Sequence, residues 1–490
     1  MALDAHPDHG LPGEESRTEH NTTAAWCVAS CPDAFANEPI NMVFSYAGTG
    51  RVAAALLAIL AFFVTAAVFR PEPVSDFLYY WMIADHPTLY HKGGVVAWVF
   101  APLKEAGISP YWSATLLNTV FAILALFAVL PVGRARTDRP GKALTVVGAA
   151  LVALAILAAA PAAPLVATDL LAFCAFVVGL RASVRAARPS RRWIAALVAL
   201  LAFSLSASLR QIYVPVMLVC VAGLMLVQHE IRVPSGSVNR WKGRLTAIGL
   251  GVMIVLAGAG GATVAERILM RQSDMEQYGP GVVRAVISIG HDIGDGATTC
   301  GAWSEGRARL GLNSRAEPLV PFLLDRQREV GWTALPHLYG CKILRLLGFK
   351  DWFASWLQAS RAYTQDRILA DSMGVEVSVL DDAARLSHVE RSEAQVRAFD
   401  DYARLYVMGS GWVGSFLQIL VVVFLAMSYV EIARRTSRGF GLLALGVALM
   451  PAVVLIGLHG VFFEVQPRYA FPIWLLPPVC MMLTLRMLSK

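Results

Sequence analysis

The chain has 490 residues, of which 56% are hydrophobic and 16% are charged, and its formal net charge is +7. A soluble domain has about a quarter of its residues charged, so this composition excludes an ordinary soluble protein. Because the apolar residues form long runs, we predict an all-α polytopic membrane protein. The positive charge does not indicate a nucleic-acid partner, since membrane proteins gather Lys and Arg in the loops of one side.

The chain order predicts four parts. Residues 1–46 are polar and have no periodic pattern, which indicates a disordered cytoplasmic tail rather than a cleavable signal peptide. A membrane domain over 47–264 contains a first outer loop over 70–110. An extracytoplasmic region over 265–411 and C-terminal transmembrane helices over 412–490 follow.

About ten apolar runs are predicted to span the membrane, although several are short against the roughly 20 residues that a span needs. They are 52–69, 111–132, 143–160, 165–180, 193–208, 212–227, 245–264, 412–432, 440–458 and 470–487.

The orientation of these spans follows from the Lys and Arg residues in the short loops. The loops after spans two, four, six and eight are basic, whereas the alternate loops hold few basic residues. After span four, for example, come Arg181, Arg185, Arg188, Arg191 and Arg192. We therefore predict a bacterial plasma-membrane protein with both termini in the cytoplasm and with the first loop and the segment 266–411 outside.

Two weaker patterns lie in the predicted outer segments. The runs 321–356 and 93–107 have the amphipathic spacing of helices that lie on a membrane surface. Cys300 and Cys341 fall in one polar region and could pair if that side is oxidising.

Several polar side chains fall at the outer ends of predicted spans, where they could converge. They are Asp76, Asp169, Arg210, Tyr213, Glu464, Arg468 and Tyr469. A carboxylate can take a proton from an attacking hydroxyl, and an arginine can bind a phosphate and stabilise its developing charge. The set therefore suits a reaction with a phosphate leaving group.

Each of these residues also has a structural interpretation. Asp76 and Asp169 could each cap the helix that follows. Arg210 could anchor its span at the interface, and Arg468 could pair with Glu464 four residues earlier. Four histidines, His86, His91, His291 and His337, lack a metal-ligand spacing, so we predict no metal site from the protein's ligands.

The outer residues and their order resemble a known family. The features are SDFLYYWMIA in the first outer loop, an acid that opens an outer helix end, a mid-chain outer arginine, and a late ExQPRYxxP. With SIGHDIGDG and LYGCKILRLLGFKDW, this pattern resembles the C-type glycosyltransferase superfamily, close to bacterial relatives of protein mannosyltransferases. Such proteins are integral membrane enzymes that use polyprenyl-phosphate sugars.

The resemblance implies a role for several residues. Asp76 takes the place of the general base, and Asp169 that of an acid which supports the site or the acceptor. Arg210 and Arg468 fall near the expected donor phosphate. Many relatives carry two adjacent acids in the first loop, whereas Phe77 follows Asp76 here, which weakens the argument for a divalent metal as cofactor.

The expected function is therefore an inverting hexosyl- or pentosyltransferase. Its partners would be a polyprenyl-phosphate sugar, a glycan, lipid or cell-envelope polymer as acceptor, and membrane lipids. One alternative is an O-antigen polymerase or ligase, in which Arg284 or His291 would act. A transporter or flippase of lipid-linked sugars and a scaffold without chemistry are the others, and the absence of an internal repeat disfavours the transporter.

Overall fold

The structure is a computed structural model that describes most of the predicted membrane domain. The described residues are 49–69, 94–130, 140–162, 168–186, 192–233, 240–269, 283–293, 300–302, 304–314, 316–347 and 392–489. They belong to one unit, Tyr46–Lys490. Within these ranges the chain is almost entirely helical and has no strand, which confirms the predicted all-α class. The predicted tail and most of the first outer loop lie outside the described residues.

Fifteen helices follow one another in this part of the chain. They are α1 (Thr49–Val64, continued by a π-helical turn Thr65–Phe69), α2 (Gly94–Glu105), α3 (Pro110–Val129), α4 (Pro140–Ala158), α5 (Thr168–Ala186), α6 (Arg192–Leu209), α7 (Tyr213–Arg232), α8 (Arg240–Leu269), α9 (283–290), α10 (Glu305–Asn313), α11 (Leu319–Val330), α12 (Leu335–Leu347), α13 (Glu393–Arg435), α14 (Arg438–Gly457, continued by a π-helical turn Leu458–Phe462) and α15 (Ala470–Leu488).

Nine of the described helices are long and apolar enough to cross a membrane: α1, α3, α4, α6, α7, α8, α13, α14 and α15. The protein is therefore an integral membrane protein. The remaining predicted span, 165–180, corresponds to α5, which is not among the nine because Asp169, Arg181 and Arg185 make it less apolar. It nevertheless packs between α3 and α6.

The two most buried helices are α5 and α15. Leu170 and Phe176 of α5 are fully buried, and α15 is buried on every side along its length. A helix that is apolar all round belongs in the middle of a bundle. The Phe173 and Phe471 rings, both within the first two turns of their helices, lie 5.0 Å apart, so both helices begin at the same end of the bundle. We call this the site end.

The predicted span 412–432 lies within a longer helix, and the domain boundary predicted at residue 412 stays a prediction. α13 is a continuous helix of 43 residues that begins at Glu393, well before the apolar run. Ser392 and Gln395 form a capping box at its start, and no proline interrupts the polar part. A membrane-spanning helix can continue into a charged segment, because apolar composition indicates which residues lie in the bilayer and does not indicate where the helix ends.

The predicted surface segments are confirmed as helices, while their position on a membrane remains a prediction. The helix at 93–107 is α2, and the run 321–356 contains most of α11 and all of α12. Its last residues, 348–356, lie outside the described residues. Gly331 has φ +84°, a left-handed conformation that allows the chain to turn between α11 and α12. The buried face of α12 is formed by Leu335, Leu338, Lys342 and Leu346.

Candidate functional site

Three of the predicted residues form a buried ion-pair triad at the site end. Asp169 Oδ1 lies 2.8 Å from Arg210 Nε, and Asp169 Oδ2 lies 3.3 Å from Arg468 Nε. The side chains of Asp169, Arg210 and Arg468 are 5%, 13% and 8% exposed, respectively. One carboxylate thus draws two guanidinium groups together. We call these residues the Arg–Asp triad.

The first turn of one helix and two turns between helices position the triad. Asp169 lies in the first turn of α5, where the positive end of the helix dipole favours a carboxylate. Arg210 lies in the turn between α6 and α7, and its backbone is held by bonds from Arg210 N to Ser206 O and from Tyr213 N to Arg210 O, both 2.9 Å. Arg468 lies in a 3-10 turn, Pro467–Tyr469, which leads into α15.

Tyr469 lies beside both arginines. Its ring centroid is 5.9 Å from Arg210 Cζ and 5.8 Å from Arg468 Cζ, within the range of cation–π attraction. Burial and the nearby Glu464 raise the pKa of Tyr469 well above its usual range, so the phenol keeps its proton and acts as a donor. Tyr213, at the start of α7, is buried against Phe176, and Asp169 and Arg210 are close enough to act on it electrostatically.

Glu464 is the second carboxylate of the site. Tyr469 Oη donates a hydrogen bond of 2.8 Å to Glu464 Oε1, and Gln466 Nε2 donates one of 3.1 Å to the same oxygen. His459 stacks on Tyr469 with the ring centroids 4.3 Å apart. Its Nδ1 lies 2.9 Å from the carbonyl oxygen of Glu464. A carbonyl can only accept, so Nδ1 carries a proton and donates it to that oxygen.

The loop that carries Glu464 is fixed from behind by the segment between α9 and α12. Val465 N donates a 2.9 Å hydrogen bond to Gly301 O, and Gly301 has φ +71°. Gly290 lies so close to the loop that a Cβ there would come within 2.6 Å of the Phe463 backbone. A disulfide between Cys300 and Cys341 ties the segment to α12. The pairing that the sequence left open is therefore present.

Lys342 follows that disulfide and is fully buried. Its Nζ donates a 2.9 Å hydrogen bond to Gly290 O. Burial lowers the pKa of Lys342 to about 7, while the charge of Glu464 acts in the opposite direction. A buried lysine near a buried glutamate links α12 electrostatically to the loop before α15.

The structure brings together six of the seven predicted residues, and Asp76 lies outside the described residues. Two structural interpretations are corrected. Arg468 does not pair with Glu464, because residues 464–466 are not helical and the spacing of four does not bring the side chains together. Asp169 does not merely start its helix, since both of its carboxylate oxygens face arginines.

Sequence reasoning assigned no role to His459 or Lys342. A signal for Lys342 was available, because it falls on the apolar face that Leu335, Leu338 and Leu346 define at spacings of three and four. His459 gave no such signal, since it lies at the boundary between a predicted span and its loop, where polar residues are common.

Two residues from the alternative interpretations, Arg284 and His291, lie in the segment that the sequence predicts to be outside. Arg284 is buried and donates a hydrogen bond to the Glu317 carbonyl. His291 Nδ1 lies 2.8 Å from Ile287 O, and burial lowers the pKa of His291 to about 4. Both side chains therefore make contacts that hold this segment together.

In the described part of the chain, no group of three or more His, Cys, Asp or Glu side chains is arranged to hold a metal ion. Comparison of the sequence and the structure with protein-family models, with curated proteins and with solved structures gives no match.

Proposed function

We propose that this protein is a membrane glycosyltransferase. It moves a sugar from a polyprenyl-phosphate donor to an extracytoplasmic acceptor, which is a lipid-linked glycan, a lipid or a cell-envelope polymer. The observation that carries the proposal is the convergence of Arg210 and Arg468 on Asp169 at the site end of the bundle. A lipid-linked phosphate at that depth keeps its tail in the bilayer while its phosphate meets the guanidinium groups.

In this proposal, the arginines bind the phosphate of the donor. Guanidinium groups stabilise the negative charge that develops as the bond between sugar and phosphate breaks. Asp169 is a positioning residue, because it faces both Nε atoms and fixes the two forks relative to each other. Tyr469 and Glu464 support the same arginines from the loop before α15, and Tyr213 lies near Asp169 at the start of α7.

The proposed reaction is a single displacement with Asp76 as the base. The acceptor hydroxyl oxygen attacks the anomeric carbon and its proton passes to the Asp76 carboxylate. The bond from that carbon to the phosphate oxygen breaks, and the electron pair leaves with the polyprenyl phosphate. Inversion at the anomeric carbon follows from the single displacement. The role of Asp76 rests on the sequence resemblance.

The test is release of the lipid product. The full chain in lipid nanodiscs is supplied with a panel of undecaprenyl-phosphate hexoses and pentoses and a membrane lipid extract as acceptor, and free undecaprenyl phosphate is measured. R210K and R468K keep the charge but lose the planar fork, and each is expected to reduce release about 100-fold. D76N is expected to abolish it. R244Q is the control, because Arg244 pairs with Glu230 between α7 and α8, away from the triad.

Unchanged release in R210K, R468K and D76N would overturn the proposal. Loss of activity in R284Q or H291Q with those three variants active would instead favour a polymerase or ligase whose chemistry lies in the outer segment.

The proposal also requires the site end to face outward. Thr333 lies on the exposed turn between α11 and α12, and Arg438 starts α14 at the other end of the bundle. T333C should react with a membrane-impermeant maleimide in spheroplasts, whereas R438C should react after permeabilisation. The reverse pattern would exclude an extracytoplasmic site.

A further inference from the structure

The end of the bundle opposite the triad holds a second convergence of arginines. Arg51, in the first turn of α1, donates from Nη2 to Phe127 O at 2.7 Å and to Leu130 O at 3.3 Å. Arg486, in the last turn of α15, donates to Ala128 O at 3.1 Å and to Val129 O. Two guanidinium groups from opposite termini of the described chain thus meet at the C-terminal carbonyls of α3.

A third cation lies nearby. Arg185, in the last turn of α5, is close enough for its charge to oppose the charges of both Arg51 and Arg486. We call these three residues the arginine cluster. Asp169 lies in the first turn of α5 and Arg468 lies just before α15. The cluster and the triad therefore lie at opposite ends of the same two helices, roughly 24 Å apart at 1.5 Å per residue.

Among the described residues, the charge of the cluster is not balanced by acidic side chains. A helix C-terminus supplies about half a negative charge, whereas the cluster carries three positive charges. In the described residues, no carboxylate forms an ion pair with Arg51, Arg185 or Arg486. Like charges held together near a membrane are costly unless an anion neutralises them.

The cluster is open to lipid. Arg486 is 8% exposed and fixes the cluster within the bundle, whereas Arg185 is exposed. α1, which carries Arg51, turns apolar side chains outward from its first turn onward, with Val52 49% and Leu56 60% exposed. An amphiphile could therefore place its acyl chains along α1 and its headgroup at the arginines.

We propose that the arginine cluster binds the phosphate of an anionic phospholipid in the leaflet opposite the triad. Basic pockets between transmembrane helices on the cytoplasmic side suit anionic headgroups, and the positive-inside pattern predicts that side for the cluster. Guanidinium groups bind phosphate oxygens in bidentate fashion. The lipid bridges α1, α5 and α15 and neutralises their repulsion. The proposal does not depend on the proposed transferase activity.

The experiment uses native mass spectrometry of the full chain in a neutral detergent, with phosphatidylglycerol and phosphatidylcholine as probes. Phosphatidylglycerol is expected to bind more tightly and to raise the melting temperature. Arg185 is the residue to change, since it is exposed and does not cap α3. R185Q should weaken phosphatidylglycerol binding about fivefold, and R185K should retain most of it. R438Q is the matched control, because Arg438 also lies at this end but does not act on Arg51 or Arg486.

Three outcomes would overturn the proposal. One is equal binding of phosphatidylglycerol and phosphatidylcholine. Another is an equal loss in R185Q and R438Q, which would indicate general surface attraction. The third is displacement of the lipid by millimolar inorganic phosphate with the same dependence on Arg185, which would identify a soluble phosphate as the ligand.

Discussion

The substitution D169N tests whether the triad is a single electrostatic unit. Asn keeps the size of the side chain and removes the charge that two buried arginines share. At the observed separations of 2.8 and 3.3 Å, the ion pairs are worth about 6 and about 5 kcal/mol of gross Coulomb attraction, respectively, at an effective dielectric constant of about 20. Desolvation offsets much of this. Removal of one partner from a buried pair costs about 3–5 kcal/mol, and we expect a loss in that range for D169N.

The assay is a double-mutant cycle on thermal unfolding in detergent, followed by tryptophan fluorescence. R210Q alone leaves Asp169 paired with Arg468 and should cost less than D169N. In D169N/R210Q a single cation is stranded rather than two, so the combined loss should be smaller than the sum of the two losses. Additivity within about 0.5 kcal/mol would refute the shared-carboxylate interpretation. E431Q is the control, because Glu431 pairs with a single arginine, Arg435, which is more exposed than the triad arginines and lies at the other end of the bundle.

The remaining predictions concern the elements behind the triad. Burial lowers the pKa of Lys342 from 10.5 to about 7, so the unfolded chain binds this proton more strongly. Stability should therefore rise between pH 7 and pH 10, by at most about 1.4 kcal/mol per pH unit, and K342M should lack this rise; equal pH slopes in melting curves would contradict the prediction. The Cys300–Cys341 disulfide has a sequence separation of 41 residues, and its loss should cost about 4 kcal/mol. A reductant should lower the melting temperature of the wild type but not of C300S/C341S, and insensitivity of the wild type would argue against the bond. Y469F should cost about 1–2 kcal/mol, because Glu464 loses a buried donor, whereas Y213F should be nearly neutral; similar losses in both would show that ring packing and not the hydroxyl matters.

The sequence determined the class of the protein and showed that its candidate polar residues fall at the ends of predicted spans. Apolar runs predict membrane helices because the bilayer demands about 20 residues whose backbone bonds are satisfied internally, and this is a local property. The same runs put Asp169, Arg210 and Arg468 at the starts or turns of helices. It was therefore possible to predict that they could meet, but the sequence did not indicate that both arginines would pair with Asp169.

The tertiary structure decided the pairing. Spacing along the chain favoured Glu464 with Arg468, but residues 464–466 are not helical, and Arg468 turns to Asp169 instead. The contact between Asp169 and Arg468 joins residues almost 300 positions apart. It exists because α5 and α15 are the two most buried helices and lie together in the middle of the bundle.

Tertiary structure also brings the segment between α9 and α12 into contact with the site. Lys342 Nζ donates to the Gly290 carbonyl, and the carbonyl of Gly301, next to the disulfide, accepts from Val465 N. Both acceptors are backbone groups, whose contacts the pattern of side chains along the chain does not predict. The sequence predicts which residues lie near the ends of membrane spans, because that depends on hydropathy summed over each span. Which of these residues form a site depends on helix packing, because residues distant in the chain come together only where the buried helices contact each other.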